Sequence, residues 1–464
     1  MTMSNCCRHW YHCLRIAQFV LYAGAIVVVA GCATTHYPIN APLDKPDTQA
    51  YALADVDNTD SLFIQLSFSG GGARAAALAY GVLAELRAQR IYWDRRERRL
   101  LDEIDLITAT SGGSILAAYF ALYREQTFST FEKEFLLANL QDELKKRILY
   151  SPINWWRLTS PRFGRSDIFA ELLDERLFKG ATFGFWATQR RPRVLIAASN
   201  ISTGERFEFT PVNFQTLCSD ISTFPIARAV AASSALPVVL SPITVWDYRD
   251  ACPISSLTAA PVGGEDSIQP SPVIKTDPAA IRYAHLLDGG LADNLGARGT
   301  PDFVGRSGGI IETTRRSGYR GVRKAVFIVV NAETSSQPIQ DRSPDVPGIL
   351  RAVTALVDIP INHYSSETLS RIRATVSAWE QEVKNATDAK RADIFVRDTK
   401  FYLIEISLAA APDPDEREHF MNVPTTLNLD RGDVQKLIDY GRKTLRESPD
   451  FKILMQDISV EGGR

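Results

Sequence analysis

At 464 residues, 45% hydrophobic and a formal net charge of -2, the chain is long enough to bury a sizeable core and too nearly neutral to favour nucleic acid. The basic runs Arg95–Arg99 and Lys145–Arg147 lie beside acids and read as solvated surface. Length alone would allow two or three domains, but strands and helices alternate to the end without an internal repeat, which favours one α/β domain.

The amino terminus reads as a processing signal. Arg8 and Arg15 flank an acid-free apolar stretch from about Ile16 to Val29, short for a bilayer span and suited to a signal peptide. It ends in Val29-Ala30-Gly31-Cys32, which resembles the bacterial lipobox. That resemblance implies a lipoprotein signal peptide over 1–31, lipidation of Cys32 and a place in the bacterial cell envelope. Ala33 rather than Asp after the cysteine resembles sorting to the outer membrane, at its periplasmic face. An uncleaved anchor or an ordinary signal peptide is the alternative. Loss of 1–31 removes two arginines and no acid, moving the net charge from -2 to -4, and removes Cys6, Cys7 and Cys13. Cys218 and Cys252 then remain as thiols, either bridged or buried separately. Residues 32–60, rich in Pro, Asp, Thr and Asn without a period, read as a flexible tether.

The domain, 61–464, opens with an apolar strand from Leu62, the turn Ser69-Gly70-Gly71-Gly72-Ala73-Arg74, and a helix over Ala75–Leu86. A second strand, Ile104–Ile107, runs through Thr108-Ala109-Thr110-Ser111-Gly112-Gly113-Ser114 into a helix over Ile115–Tyr123. Phe131–Tyr150 predicts one amphipathic helix, with Leu136, Leu140, Leu144 and Ile148 at i, i+4 spacing. Trp155 and Trp156 follow in a Pro-flanked loop; they and that helix fit either lipid contact or, more commonly for such a pattern, core packing. Further strands are expected at Arg193–Ala198, Phe207–Phe209, the run ending at Asp288, Lys324–Asn331 and Phe401–Leu408. Helices are expected at Arg228–Ala235, beyond Tyr364 and at Val434–Leu445, and a long irregular loop at about 246–283.

The glycine turn leaves N–H groups at a positive helix end, a site for an anion. Taken alone it fits a nucleotide phosphate or an acyl oxyanion. Ser111 sits at a second strand-to-helix apex, where Ala109-Thr110-Ser111-Gly112-Gly113 matches G-x-S-x-G with Ala for the first Gly. Helix capping is the structural reading of that serine. A serine attacking an ester makes an oxyanion, for which the N–H groups of Gly70–Gly72 would be preorganised donors. Asp288, before Gly289 and Gly290, could serve as base if burial raises its pKa; otherwise it is a turn residue.

Taken in order, Ser69–Arg74, Ala109–Gly113, Ala232-Ser233-Ser234-Ala235-Leu236-Pro237 and Asp288-Gly289-Gly290 resemble the patatin-like phospholipases, over roughly Leu62 to Gly296. The resemblance implies a three-layer α/β/α fold with a mainly parallel central sheet. It implies a serine acyl-ester hydrolase acting on lipid (phospholipase A, lysophospholipase or carboxylesterase) with no metal or cofactor. Ser111 would be nucleophile, Asp288 its base, and Gly70, Gly71 and Gly72 the oxyanion hole. Arg74 and Gly113 would support the two turns. Asn200-Ile201-Ser202-Thr203-Gly204 matches the family's D-x-x-T-G segment with Asn in place of the Asp. Ser233 and Ser234 read as packing residues. The expected partners are a lipid or acyl-ester substrate and, through the lipid anchor, a membrane.

Three alternatives compete. A Ser-His-Asp esterase would draw its base from His285, His363 or His419, none within a motif. A dinucleotide-binding domain would use Gly70-x-Gly72-x-x-Ala75 with Asp94 as the ribose acid. A non-enzymatic lipid-binding lipoprotein would keep the fold without turnover.

Overall fold

A computed structural model describes residues 40–43, 59–187, 192–249, 283–333 and 349–462. The predicted leader, Cys32, most of the tether, Cys252 and most of the 246–283 loop lie outside the described residues.

The first strand, β1 (Leu62–Phe68), runs into α1 (Gly72–Ala88), and β2 (Ile104–Thr110) into α2 (Gly112–Tyr123). Helices α3 (Leu140–Leu149), α4 (Pro152–Leu158) and α5 (Arg165–Leu173) lead to strands β3 (Arg193–Asn200) and β4 (Arg206–Glu208). Then come α6 (Ile226–Ser233), β5 (Ile243–Trp246), β6 (Tyr283–Leu287) and the short α7 (Gly290–Asp293). The described chain closes with β7 (Val322–Asn331), α8 (Ile349–Asn385), β8 (Phe395–Ser407), α9 (Arg431–Glu447) and α10 (Pro449–Gly462).

The eight strands form one sheet in the order β8-β7-β1-β2-β3-β6-β5, with β4 paired to β3. The five strands from β8 to β3 are parallel, whereas β6, β5 and β4 pair antiparallel. Alternate side chains leave a strand on opposite faces. Ile64, Leu66 and Phe68 of β1 enter a core with α1, α2 and α9, while Phe63 packs on the other side with Phe327 and the Leu369, Ile372 and Trp379 row of α8. Burial on both faces explains why β1 and β7 are mostly apolar rather than strictly alternating. The fold is the expected three-layer α/β/α arrangement with a mixed, mainly parallel sheet.

Several elements differ from expectation. Phe131–Tyr150 is not one helix: π-helical backbone covers Glu132–Leu136, and Asn139 caps α3 by accepting the Asp142 N–H at 3.2 Å. Leu136, Leu140 and Leu144 are all buried, so the apolar row spans a break that periodicity does not register. Trp155 and Trp156 lie in α4, not in a loop; Ser151 caps it and Pro152 takes its first turn, where a missing N–H costs nothing. Arg90–Trp93 and Arg96–Arg99 form a hairpin. The short strand β5 also escapes the sequence pattern. Within the stretch read as a tether, Asn40 is clasped to the body: its Nδ2 donates to Ser219 Oγ and the Trp246 carbonyl, and its Oδ1 accepts the Trp246 N–H. Ala41–Pro42 then pairs with Ser219–Asp220, and Leu43 N–H bonds the carbonyl of Cys218, which is held in a disulfide. Among the described residues no helix is long and apolar enough to cross a membrane.

Candidate active site

Strands β1 and β2 deliver their turns side by side at their carboxyl ends, where open α/β sheets take ligands. At the end of β2 the backbone reverses in one residue. Ser111 has φ 49° and ψ -125°, a conformation that costs a non-glycine residue energy and lifts its side chain clear of the sheet. Gly112 must be glycine, because a Cβ there would overlap the backbone of Gly72 on the neighbouring turn. A Cβ on Gly113 would stand 2.6 Å from the Ser69 carbonyl oxygen, so α2 crosses directly over the end of β1.

Ser111 does not cap its helix: its Oγ donates to Asp288 Oδ2 at 2.9 Å, across 177 residues. Asp288 follows β6 and is buried, with Oδ1 accepting the Gly290 N–H at 2.8 Å. Burial pushes its carboxyl up to about 6, partly opposed by the Gly290 N–H and the Ser111 hydroxyl. A carboxylate tuned to this range is ionised near neutrality yet basic enough to take a proton.

The elbow is braced by a residue whose sequence context suggests only packing. Ser233, the last residue of α6, accepts the Ser111 N–H at 2.8 Å and donates to the Ala197 carbonyl at 2.6 Å. Its own carbonyl accepts the Gly289 N–H, and that of Ala235 accepts the Asp288 N–H. One end of α6 therefore fixes both members of the Ser111–Asp288 pair. Ser234 is different: its buried hydroxyl has no partner among the described residues, as a packing role allows.

The glycine turn corrects one expectation. The Gly70 N–H donates to the Asn294 carbonyl at 2.9 Å, which removes it from the expected donors. Gly70 instead stands next to Ser111; a Cβ there would lie 3.3 Å from Ser111 Cβ and 2.6 Å from Asn294 Oδ1. The Ala73 N–H is likewise taken, by the Thr426 carbonyl. Gly71 and Gly72 lie between these two, where helix N–H groups have no intrahelical acceptor. Arg74 is buried beneath the turn, its guanidinium donating to the carbonyls of Ala332 and Val423. These bonds tie α1 to the end of β7.

No rival site assembles among the described side chains. His285 bonds Thr244 and His419 bonds Asp433, and neither touches Ser111; the side chain of His363 lies outside the described residues. Asp94 accepts the Ser61 hydroxyl and pairs with Arg323 at the opposite end of β1 from the glycine turn, so it cannot serve a nucleotide held there. Asn200 closes its own turn, accepting the Ser202 N–H with Oδ1 and the Gly204 N–H with its carbonyl.

Residues 66–300, just over half of the chain, match the family of patatin-like phospholipases. The chain belongs to this family. All four motif segments of this patatin-like protein fall inside the matched range. No curated protein matches the chain in sequence. Among solved structures, human GIVD cytosolic phospholipase A2 aligns with TM-score 0.43 and 13% identity over 87% of this chain and 61% of its own. Its complex with methyl gamma-linolenyl fluorophosphonate gives 0.40 and 14%, over 94% and 62%. VipD from Legionella pneumophila gives 0.30 and 12%, over 89% and 72%. The chain thus spans about three fifths of the human enzyme's length in these alignments.

Proposed function

We propose that the protein is a lipid acyl hydrolase working through a Ser111–Asp288 dyad. Asp288 accepts the Ser111 proton as Oγ attacks the ester carbonyl, and returns it to the leaving alkoxide when the acyl-enzyme forms. It then takes a proton from water as the water oxygen attacks the acyl carbon, and gives that proton to Ser111 Oγ as the carboxylic acid leaves, which restores the dyad. The oxyanion of each tetrahedral intermediate is met by the N–H groups of Gly71 and Gly72, at the positive end of α1. The observation that carries this reading is the hydrogen bond from Ser111, on its reversed elbow, to a buried carboxylate. Family membership supports an ester of lipid as the substrate; phospholipid, lysophospholipid and small carboxylic esters all suit the chemistry.

The rest of the chain fits an envelope enzyme. In this reading 1–31 is a lipoprotein leader, Cys32 carries the acyl chains, residues up to 60 connect to the hydrolase domain at 61–464, and the protein sits at the periplasmic face of the outer membrane. A fluorophosphonate probe tests the chemistry: it should label the wild type and leave Ser111→Ala unlabelled. Equal labelling of both rejects Ser111. A protein that releases no acid from phospholipid, lysophospholipid or short-chain ester returns the non-enzymatic lipid-binding reading. Mass spectrometry of the amino-terminal peptide tests the anchor; an unmodified Cys32 rejects it.

A further inference from the structure

A surface helix ordinarily turns its apolar side inward. Helix α4 departs from this: none of its residues is fully buried, and most of its apolar surface is outward. Its polar side chains hold it to the body, Asn154 Nδ2 donating to the Arg147 carbonyl at 2.9 Å and Arg157 pairing with Glu171 while its guanidinium lies over the Phe163 ring. Leu158 packs partly buried against the core, and the other large apolar side chains face out. Ile153 is 72% exposed, Trp155 50% and Trp156 42%, continuing from Leu149 at 56% and Tyr150 at 75%. The Trp155 ring is fixed in this pose, because its Nε1 donates to the carbonyls of Ile148 and Leu149, both at 3.1 Å.

The charge around this cluster indicates what covers it. From Leu144 to Arg165 the chain carries six bases and no acid, within a protein of net charge -2. Lys145, Arg147 and Arg157 also meet acids from neighbouring turns, Asp142, Glu143, Glu171 and Glu175. Tryptophan and tyrosine set among bases is the composition that enters a headgroup layer, with rings at the acyl boundary and cations on phosphate.

The helix that Arg157 pairs with, α5, is in turn bonded to the loop that follows α6. Ser241 accepts the Ser166 N–H and its carbonyl accepts the Ser166 hydroxyl, joining the start of α5 to the loop that leaves Ala235. On that loop Val238 and Val239 are exposed as well.

We propose that α4 is a bilayer-contact element that seats on anionic phospholipid, with Ile153, Trp155 and Trp156 entering the interface. The surface stands on its own geometry and does not need the chemistry at Ser111.

The test uses the full-length protein reconstituted in liposomes of phosphatidylethanolamine and phosphatidylglycerol bearing brominated acyl chains. Tryptophan emission should be quenched, and Trp155→Phe/Trp156→Phe should lose most of the quenchable component. Replacing phosphatidylglycerol by phosphatidylcholine should reduce the quenching severalfold. Ile153→Asp should lower hydrolysis of vesicle lipid by about tenfold or more while turnover of a soluble short-chain ester stays unchanged. Equal quenching in wild type and double variant overturns the proposal. So does a tryptophan signal that depends on protein concentration and not on lipid, which would assign the face to a second copy. Loss of soluble-ester turnover in Ile153→Asp also counts against a docking role. A wild type inactive on every ester refutes the function proposed above and leaves the quenching to decide this surface.

Discussion

Replacing Asp288 by Asn should make the protein more stable and abolish its activity, with a pH dependence that identifies the cause. The carboxyl is buried and raised from 3.8 to about 6, so the folded state holds its proton more tightly than the unfolded chain does. For a raised acid the sign runs against high pH: the unfolded state ionises first, and folding stability is lost as pH climbs from about 4 to about 6. A rise of this size corresponds to a penalty of roughly 3 kcal/mol, present in full only above the folded value. Asparagine removes this penalty and keeps both contacts, since its Oδ1 can accept the Gly290 N–H and its Nδ2 can donate to Ser111 Oγ. Urea denaturation of the two proteins should therefore differ by under about 1 kcal/mol at pH 4 and by about 3 kcal/mol at pH 8, with the Asp288→Asn variant the more stable. A difference that is constant across this range, or a variant less stable at pH 8, would refute the account of Asp288 as a charge held against its desolvation cost.

The same group predicts the wild-type rate profile. In the proposed mechanism hydrolysis needs Asp288 ionised, so kcat/KM should rise with pH through an apparent pKa of about 6 and then level off; a profile flat from pH 5 to 8 excludes it as the base. Ser233→Ala would strand the buried Ser111 N–H and Ala197 carbonyl, at about 1–3 kcal/mol each, and should slow fluorophosphonate labelling at least tenfold. Gly72→Ala should destabilise by more than about 2 kcal/mol, because the residue has φ 59° and its new Cβ would overlap the Thr426 carbonyl; the melting temperature reads this directly. Arg74→Lys should lose the paired grip on Ala332 and Val423 and lower kcat more than it raises KM, as for a residue that positions a turn.

Much of this arrangement is legible in sequence wherever a local rule and a long-range need coincide. The turns after β1 and β2 show because close backbone approach demands glycine, and glycine is visible. The Ser111–Asp288 pairing is suggested by motif order, and the structure supplies the hydrogen bond. What stays hidden has physical reasons. The Ser233 hydroxyl reaches a partner 122 residues away, and a serine in an alanine-rich helix looks the same whether it packs or braces. Donation from Gly70 to Asn294 joins two backbones with no side-chain signature. The antiparallel course of β6 and β5 carries no mark of direction in either short strand. Helix α4 does carry a mark, although its outward apolar residues obscure the usual period: Ser151-Pro152 is a cap followed by a first-turn proline, the signature of a helix start.

The clasp at Asn40 sets a radius. Seven residues separate it from Cys32, and even a fully extended backbone advances only about 3.5 Å per residue. Cys32 therefore lies within about 28 Å of Asn40 whatever path the intervening chain takes. Anything joined to that cysteine is on a short leash fastened beside β5, at the edge of the sheet rather than at the end of a long, slack arm. Were it fixed in a lipid leaflet, the body could roll and tilt against that leaflet but could not retreat from it. Encounter with lipid would then be a matter of orientation more than of diffusion, with an effective concentration set by eight peptide steps.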